Sequence, residues 1–168
     1  DDIVSKQWNR TKVKFEDEVE SDISPYSYKM IKSKVFNDFA LKKLEYNPNI
    51  NVCYSETVSK LNELNNIVEV YTKDNIYKAT QVFDSRIPNQ YFKDTKSLKL
   101  HQHFKGFTIK TRKNVFKDSI FTLMDFSVKE SDSTSFMYLL PTANDTALLE
   151  FTFFTSTIFE FGYLQKLE

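Results

Sequence analysis

Two carboxylates stand out because of the company they keep. Asp125 lies in the run Phe121-Thr-Leu-Met-Asp-Phe and Glu150 in Ala147-Leu-Leu-Glu-Phe-Thr, both apolar and of strand length. Burying an acid inside such a run is costly, so it has a partner, an exposed face or a task. Together with His101-Gln-His-Phe-Lys-Gly-Phe and Phe136-Met-Tyr-Leu-Leu-Pro, these runs read as the floor of an apolar cavity in which Glu150 is the functional acid. The other reactive side chains offer less. His101 and His103, two residues apart, would share one face of a strand, but there is no third histidine and no second cysteine to complete a metal site, and no metal is expected. Cys53 is the single cysteine, which excludes an internal disulfide and fits a reducing compartment; within Asn51-Val-Cys-Tyr it reads as a buried, inert thiol.

Composition narrows the function classes. The chain has 168 residues, 40% of them hydrophobic and 27% charged, with a formal net charge of zero. That suits one domain, or a piece of a larger protein, and gives no electrostatic ground for nucleic-acid binding. Only Gly106 and Gly162 are present, so neither a GxGxxG fingerprint nor a Walker loop is encoded, since both need clustered glycines for close backbone approach to phosphate. No signal peptide is evident, and no apolar stretch approaches the ~20 residues that span a bilayer. Asp1 is not a start residue, which suggests a segment cut from something longer.

The elements that must position the two acids follow from pattern. Residues 3–15 alternate as a strand, and the acidic stretch 16–22 reads as a solvated loop closed by Pro25. Val35, Phe36, Phe39, Ala40 and Leu44 recur at helical spacing behind Ser33 as N-cap, and Asn47-Pro48 stops the helix. Strand texture returns at 50–54 and 58–64. Asn65-Asn66 turns into the run 67–72, and Lys73-Asp-Asn turns again into 76–83. After a polar connector at 91–97 come the four runs already named, separated by polar turns at 131–135 and 142–145, as an antiparallel meander would be. The tail from Ile158 could open a second helix. The fold class is α+β: a dominant antiparallel or mixed sheet with one or two helices.

In order and spacing, Gln102-His-Phe-Lys-Gly-Phe, Thr122-Leu-Met-Asp-Phe, Phe136-Met-Tyr-Leu-Leu-Pro and Ala147-Leu-Leu-Glu-Phe-Thr resemble the lycopene cyclase family, whose members show Q-x-F-x-G-W, T-L-M-D, F-x-Y-x-L-P and a Glu-Glu-Thr segment. Trp8, the Tyr28-Lys-Met-Ile run and a strand ending in Asp84-Ser-Arg also resemble that family, and more broadly flavoproteins of the geranylgeranyl-reductase and aromatic-hydroxylase type. The resemblance implies the central, substrate-domain part of an FAD-binding fold over residues 1–168, with the dinucleotide-binding unit and the C-terminal part outside it. It implies acid-catalysed, non-redox cyclisation of a linear carotenoid end, with reduced FAD and NAD(P)H in the whole protein and no cofactor bound by this segment alone. Glu150 matches the family's catalytic acid, Asp125 a supporting or proton-relay position, and Asp84 and Arg86 the edge of the flavin site. Phe151 replaces the second Glu of the motif. The implied location is cytoplasmic, with peripheral contact at the inner face of the membrane, and the partner is an isoprenoid rather than nucleic acid. Three other readings share these residues: a related flavin-dependent isoprenoid reductase or hydroxylase, a non-catalytic module for an apolar ligand, and a plain interaction domain.

Overall fold

The computed structural model describes residues 2–130 and 133–158. Along the chain run β1 (Val4–Trp8), β2 (Arg10–Lys14), β3 (Glu18–Asp22), β4 (Tyr28–Ile31), α1 (Ser33–Glu45), β5 (Lys60–Leu64), β6 (Ile67–Tyr71), β7 (Ile76–Ala79), α2 (Asn89–Lys93), β8 (His101–Lys110), β9 (Ile120–Asp125), β10 (Thr134–Ala143) and β11 (Thr146–Thr155). This is the α+β class expected, dominated by sheet. The chain forms two compact units, Asn37–Ser97 and the discontinuous remainder, Asp1–Phe36 with Leu98–Glu168.

The larger unit is built on a six-stranded sheet ordered β3-β2-β9-β10-β11-β8. All its pairings are antiparallel except β2 with β9. Three of the four apolar runs thus become neighbours in the expected meander, and the run containing the histidines, β8, lies beyond β11 as the sheet edge. A bulge at Leu123 is seen from both sides: Leu139 pairs with Thr122 and Met137 with Asp125 on one flank, while Lys12 and Val13 pair with Thr122 and Met124 on the other. Over one sheet face lies the two-stranded ribbon of β1 and β4. Trp8 secures it: its indole N–H donates to the Pro141 carbonyl at 3.2 Å, and with Phe121 and Leu140 it forms a buried cluster against which Ile23, Met30, Leu123 and Leu148 pack. Tyr28 adds a ring stacked on Phe121 at 4.4 Å.

The segment 3–15 is two strands rather than one. The chain changes sheets at Asn9, because Trp8 turns into the core while β2 goes on to pair with β3 and β9. The acidic stretch is not merely solvated loop either. Its second half is β3, an exposed edge strand whose Glu18 and Glu20 sit at 2.9 Å from Lys12 and Arg10 of β2. Charged edge strands are a common way to discourage further pairing.

In the smaller unit, β5, β6 and β7 form an antiparallel meander. Asn65 and Asn66 both take positive φ (54° and 61°), the conformation that a two-residue hairpin loop requires and asparagine tolerates. At the next turn, the Thr72 N–H donates to the Asn75 carbonyl at 2.9 Å, and the Asn75 N–H donates to the Thr72 hydroxyl at 3.0 Å. Residues 50–54 form no strand and pair with none, and Cys53 is exposed, contrary to the buried thiol expected, although Tyr77 of β7 hydrogen-bonds with it. Part of the expected polar connector is the short helix α2. Helix α1 forms where it was read from sequence, with Ser33, expected as its N-cap, as its first residue, but it buries none of its residues. The tail expected to be helical lies outside the described residues beyond Ile158. Among the described residues no helix is long and apolar enough to cross a membrane.

Candidate functional site

Antiparallel partners project side chains to the same face of a sheet, and neighbours along a strand alternate. The register therefore decides which sequence motifs meet. Glu150 pairs with Tyr138 on β10 and with Gly106 on β8, so parts of three motifs form one transverse row. Thr152, Phe136 and Phe104 form the next row on that face, and Leu148, Leu140 and Thr108 the row on the other side. This is the face crossed by the β1–β4 ribbon, since Leu140, Leu148 and Met30 belong to the Trp8 cluster.

Glu150 is half-buried, and its carboxylate accepts a long hydrogen bond from the buried Thr152 hydroxyl at 3.4 Å. Beside it, burial raises the Tyr138 phenol above its ordinary titration range, and the nearby Tyr28 and Glu150 add to the rise. A cavity of about 470 Å³ opens on the same face one row away, between Ser5, Met30, Ile31 and Lys32 of the ribbon side and Thr108, Thr142, Thr146 and Leu148 of the sheet. Glu150 and Tyr138 do not line this cavity themselves; they stand one row from its Thr108 and Leu148 edge, where an acid and a phenol can deliver a proton and stabilise positive charge that develops nearby.

Asp125 occupies a different place. It pairs with Met137, which pairs with Phe151, so it lies on the opposite face from Glu150. There its carboxylate accepts from the Ser127 N–H at 2.9 Å and the Ser127 hydroxyl at 2.5 Å, with Lys14 at 3.8 Å. Those bonds make it the anchor of the turn after β9. A direct proton relay between Asp125 and Glu150 is not supported, because the sheet stands between them. Phe151, which stands where the motif has a second Glu, also faces Asp125's side, in a small hollow of about 180 Å³ with Lys105, Phe107, Val128, Met137 and Leu149.

Asp84 and Arg86 belong to the smaller unit. The Arg86 guanidinium grips Asp84 with two nitrogens, Nε to Oδ1 and Nη2 to Oδ2, each at 2.9 Å, and also donates to the Val58 carbonyl. Hydrogen bonds from Arg86, and then its charge, hold the Asp84 carboxyl below the usual range. Both residues line a polar cavity of about 880 Å³ together with Lys60 and Lys93. The site can attract an anion. It does not form a dinucleotide cradle: among the described residues lining this cavity there is no glycine to let a pyrophosphate approach the backbone. The described residues therefore do not fit FAD by themselves.

Tyr138 is the candidate site residue that the sequence did not single out within the Phe136-Met-Tyr-Leu-Leu-Pro run. Its signal was present in the F-x-Y-x-L-P spacing, but only the β10–β11 register shows that the tyrosine faces Glu150.

A search of curated proteins finds no match. Among solved structures, the crystal structure of tetracycline destructase Tet(51) aligns with a TM-score of 0.45 at 12% identity, over 94% of this chain and 41% of that one; the chain thus spans less than half the length of that protein. Residues 1–166 match the family model described as lycopene cyclase protein, and the chain belongs to the lycopene cyclase family.

Proposed function

We propose that this chain supplies the substrate-facing acid of a carotenoid cyclase, and that Glu150 is that acid. The observation that supports the reading best is the row Tyr138–Glu150–Gly106, which sets a half-buried carboxyl opposite a tyrosine, one row from a cavity. Protonated Glu150 gives its proton to a terminal carbon–carbon double bond. A second double bond of the same chain attacks the resulting cation and closes the ring. The ring then loses a proton from a neighbouring carbon to the Glu150 carboxylate, which restores the acid, so the substrate is isomerised without net oxidation or reduction. Tyr138 and Phe136 offer π-faces to the cation during the interval. Dependence on reduced flavin rests on family membership, as does the carotenoid nature of the substrate.

The test is Glu150→Gln in the protein at its natural length, produced in cells that accumulate a linear carotenoid. Glutamine keeps the shape and cannot deliver the proton, so ring formation should fall by roughly 10²–10⁴-fold, the usual worth of a positioned acid. Cyclisation at the unmodified rate would remove Glu150 from the reaction.

A further inference from the structure

Every flank of Glu150 on its own face carries a side chain except one. Leu148 and Thr152 precede and follow it along β11, Tyr138 stands on β10, and the fourth position is Gly106 on the edge strand β8. A glycine inside a strand weakens it, and its presence there often marks a close approach by something else. Backbone conformation does not call for it, because no described glycine takes positive φ. Space does. A Cβ at position 106 would lie 3.7 Å from both Cβ and Cγ of Glu150 and 3.3 Å from the Leu149 carbonyl oxygen. The glutamate stem therefore leans over the bare backbone, and a side chain at 106 would fill the volume beside it. Phe104 and Thr108, the neighbours of Gly106 on this face of β8, are exposed, so the notch between them opens at the sheet edge. The cavity of about 470 Å³ begins one row away at Thr108 and Leu148.

We propose that Gly106 is a specificity-determining residue: the notch it leaves in β8 is the gap through which the methyl-branched end of a linear isoprenoid reaches Glu150. The proposal rests on the reading of Glu150 as the acid. It makes the width of the gap, rather than any polar contact, the feature that selects the substrate end. Aromatic Phe104 and the hydroxyl of Thr108 border the passage, and Tyr138 closes its far wall.

The experiment compares steady-state cyclisation by the wild type, Gly106→Ala, Gly106→Val and Glu150→Gln, each at natural length, on two linear substrates. One is the ordinary isoprenoid, and the other lacks the first branch methyl beyond the two double bonds that react, so that the cations formed stay tertiary. For Gly106→Ala, KM for the ordinary substrate should rise about tenfold with kcat little changed, the scale of one methyl group intruding on an apolar passage. The slimmer substrate should recover most of that loss, which a purely structural defect would not permit. Gly106→Val should fail with both. If valine prevents folding, as thermal unfolding would show, the alanine variant with its paired substrates still decides. An unchanged KM in Gly106→Ala, or an equal rise for both substrates, overturns the proposal while leaving Glu150 as the acid. Activity surviving in Glu150→Gln overturns the acid reading, and with it the proposal.

Discussion

Replacing Leu140 by alanine tests whether the β1–β4 ribbon is seated on the sheet as described. Leu140 is 9% exposed and touches the buried rings of Trp8 and Phe121, with Met30 and Leu148 close by. The change removes three carbon atoms, worth about 2.4 kcal/mol at ~0.8 kcal/mol per buried methylene. The cavity left behind adds to that, although Met30 and Leu148 are only partly buried and can shift into it. A loss of about 3 kcal/mol is expected, within the range of ~2–5 kcal/mol for such truncations. For a chain of this size that is a fall of roughly 6–12 °C in Tm, at ~2–4 °C per kcal/mol. Trp8 is the only tryptophan and belongs to this cluster, so its fluorescence reports urea unfolding of this unit directly. Leu64, at 63% exposed on β5, is the control, and its alanine variant should cost less than ~0.5 kcal/mol. A Leu140→Ala loss below ~1 kcal/mol would refute the packing of ribbon on sheet and weaken the enclosure argued for Glu150.

The remaining predictions concern the acids and their neighbours. Asp125→Asn should leave cyclisation within about threefold of wild type, because the group lies across the sheet from Glu150; a loss of ~10²-fold, the scale of a positioned proton donor, would restore it to the chemistry. Tyr138 should titrate above the ordinary tyrosine value of 10.0, as read by ultraviolet difference titration against Tyr138→Phe, and Glu150→Gln should lower it. The sign for stability follows: the fold keeps a proton that the unfolded chain loses, so this contribution is full below pH 10.0 and disappears as pH rises through the native value. No change on Glu150→Gln would show that the two side chains do not face each other. Arg86→Lys cannot reproduce the two-nitrogen grip on Asp84, and should speed amide exchange at residues 84–87. In the wild type that protection should persist through the ordinary aspartate value of 3.8 and fail only at lower pH, since the Asp84 titration is depressed.

Patterns of short range were legible in the sequence. The helical spacing from Val35 to Leu44 gave α1, and the asparagine pair at 65–66 gave the β5–β6 hairpin, because each depends on residues within a few positions. What escaped was long-range pairing. Glu18–Asp22 looks like loop because every residue of that edge strand stays exposed, and only its backbone pairing with β2, where Lys12 and Arg10 meet Glu18 and Glu20, makes it a strand. Cys53 looks buried because Asn51-Val-Cys-Tyr alternates, but alternation marks a strand only when another strand pairs with it. The site divides in the same way. Glu150 and Asp125 could be picked out as acids in apolar runs, yet the alternation of faces that separates them is a matter of register between strands. Motif order alone places Tyr138 and Gly106 at quite different points in the chain; hydrogen-bond pairing sets them on either side of one carboxyl.

The larger unit is interrupted in sequence by residues 37–97, and the parallel pairing of β2 with β9 joins Arg10 to Ile120. A ribosome must therefore deliver the whole interruption and most of the later strands before Trp8 finds Phe121 or Leu140. Until then the early hairpin of β2 and β3 has an unfilled hydrogen-bonding flank, and the indole has no apolar shelter. Sheets closed over so long a separation assemble slowly, and their early intermediates are prone to sticking to one another. Production at reduced temperature, or with holding chaperones in excess, should raise the yield of properly assembled material.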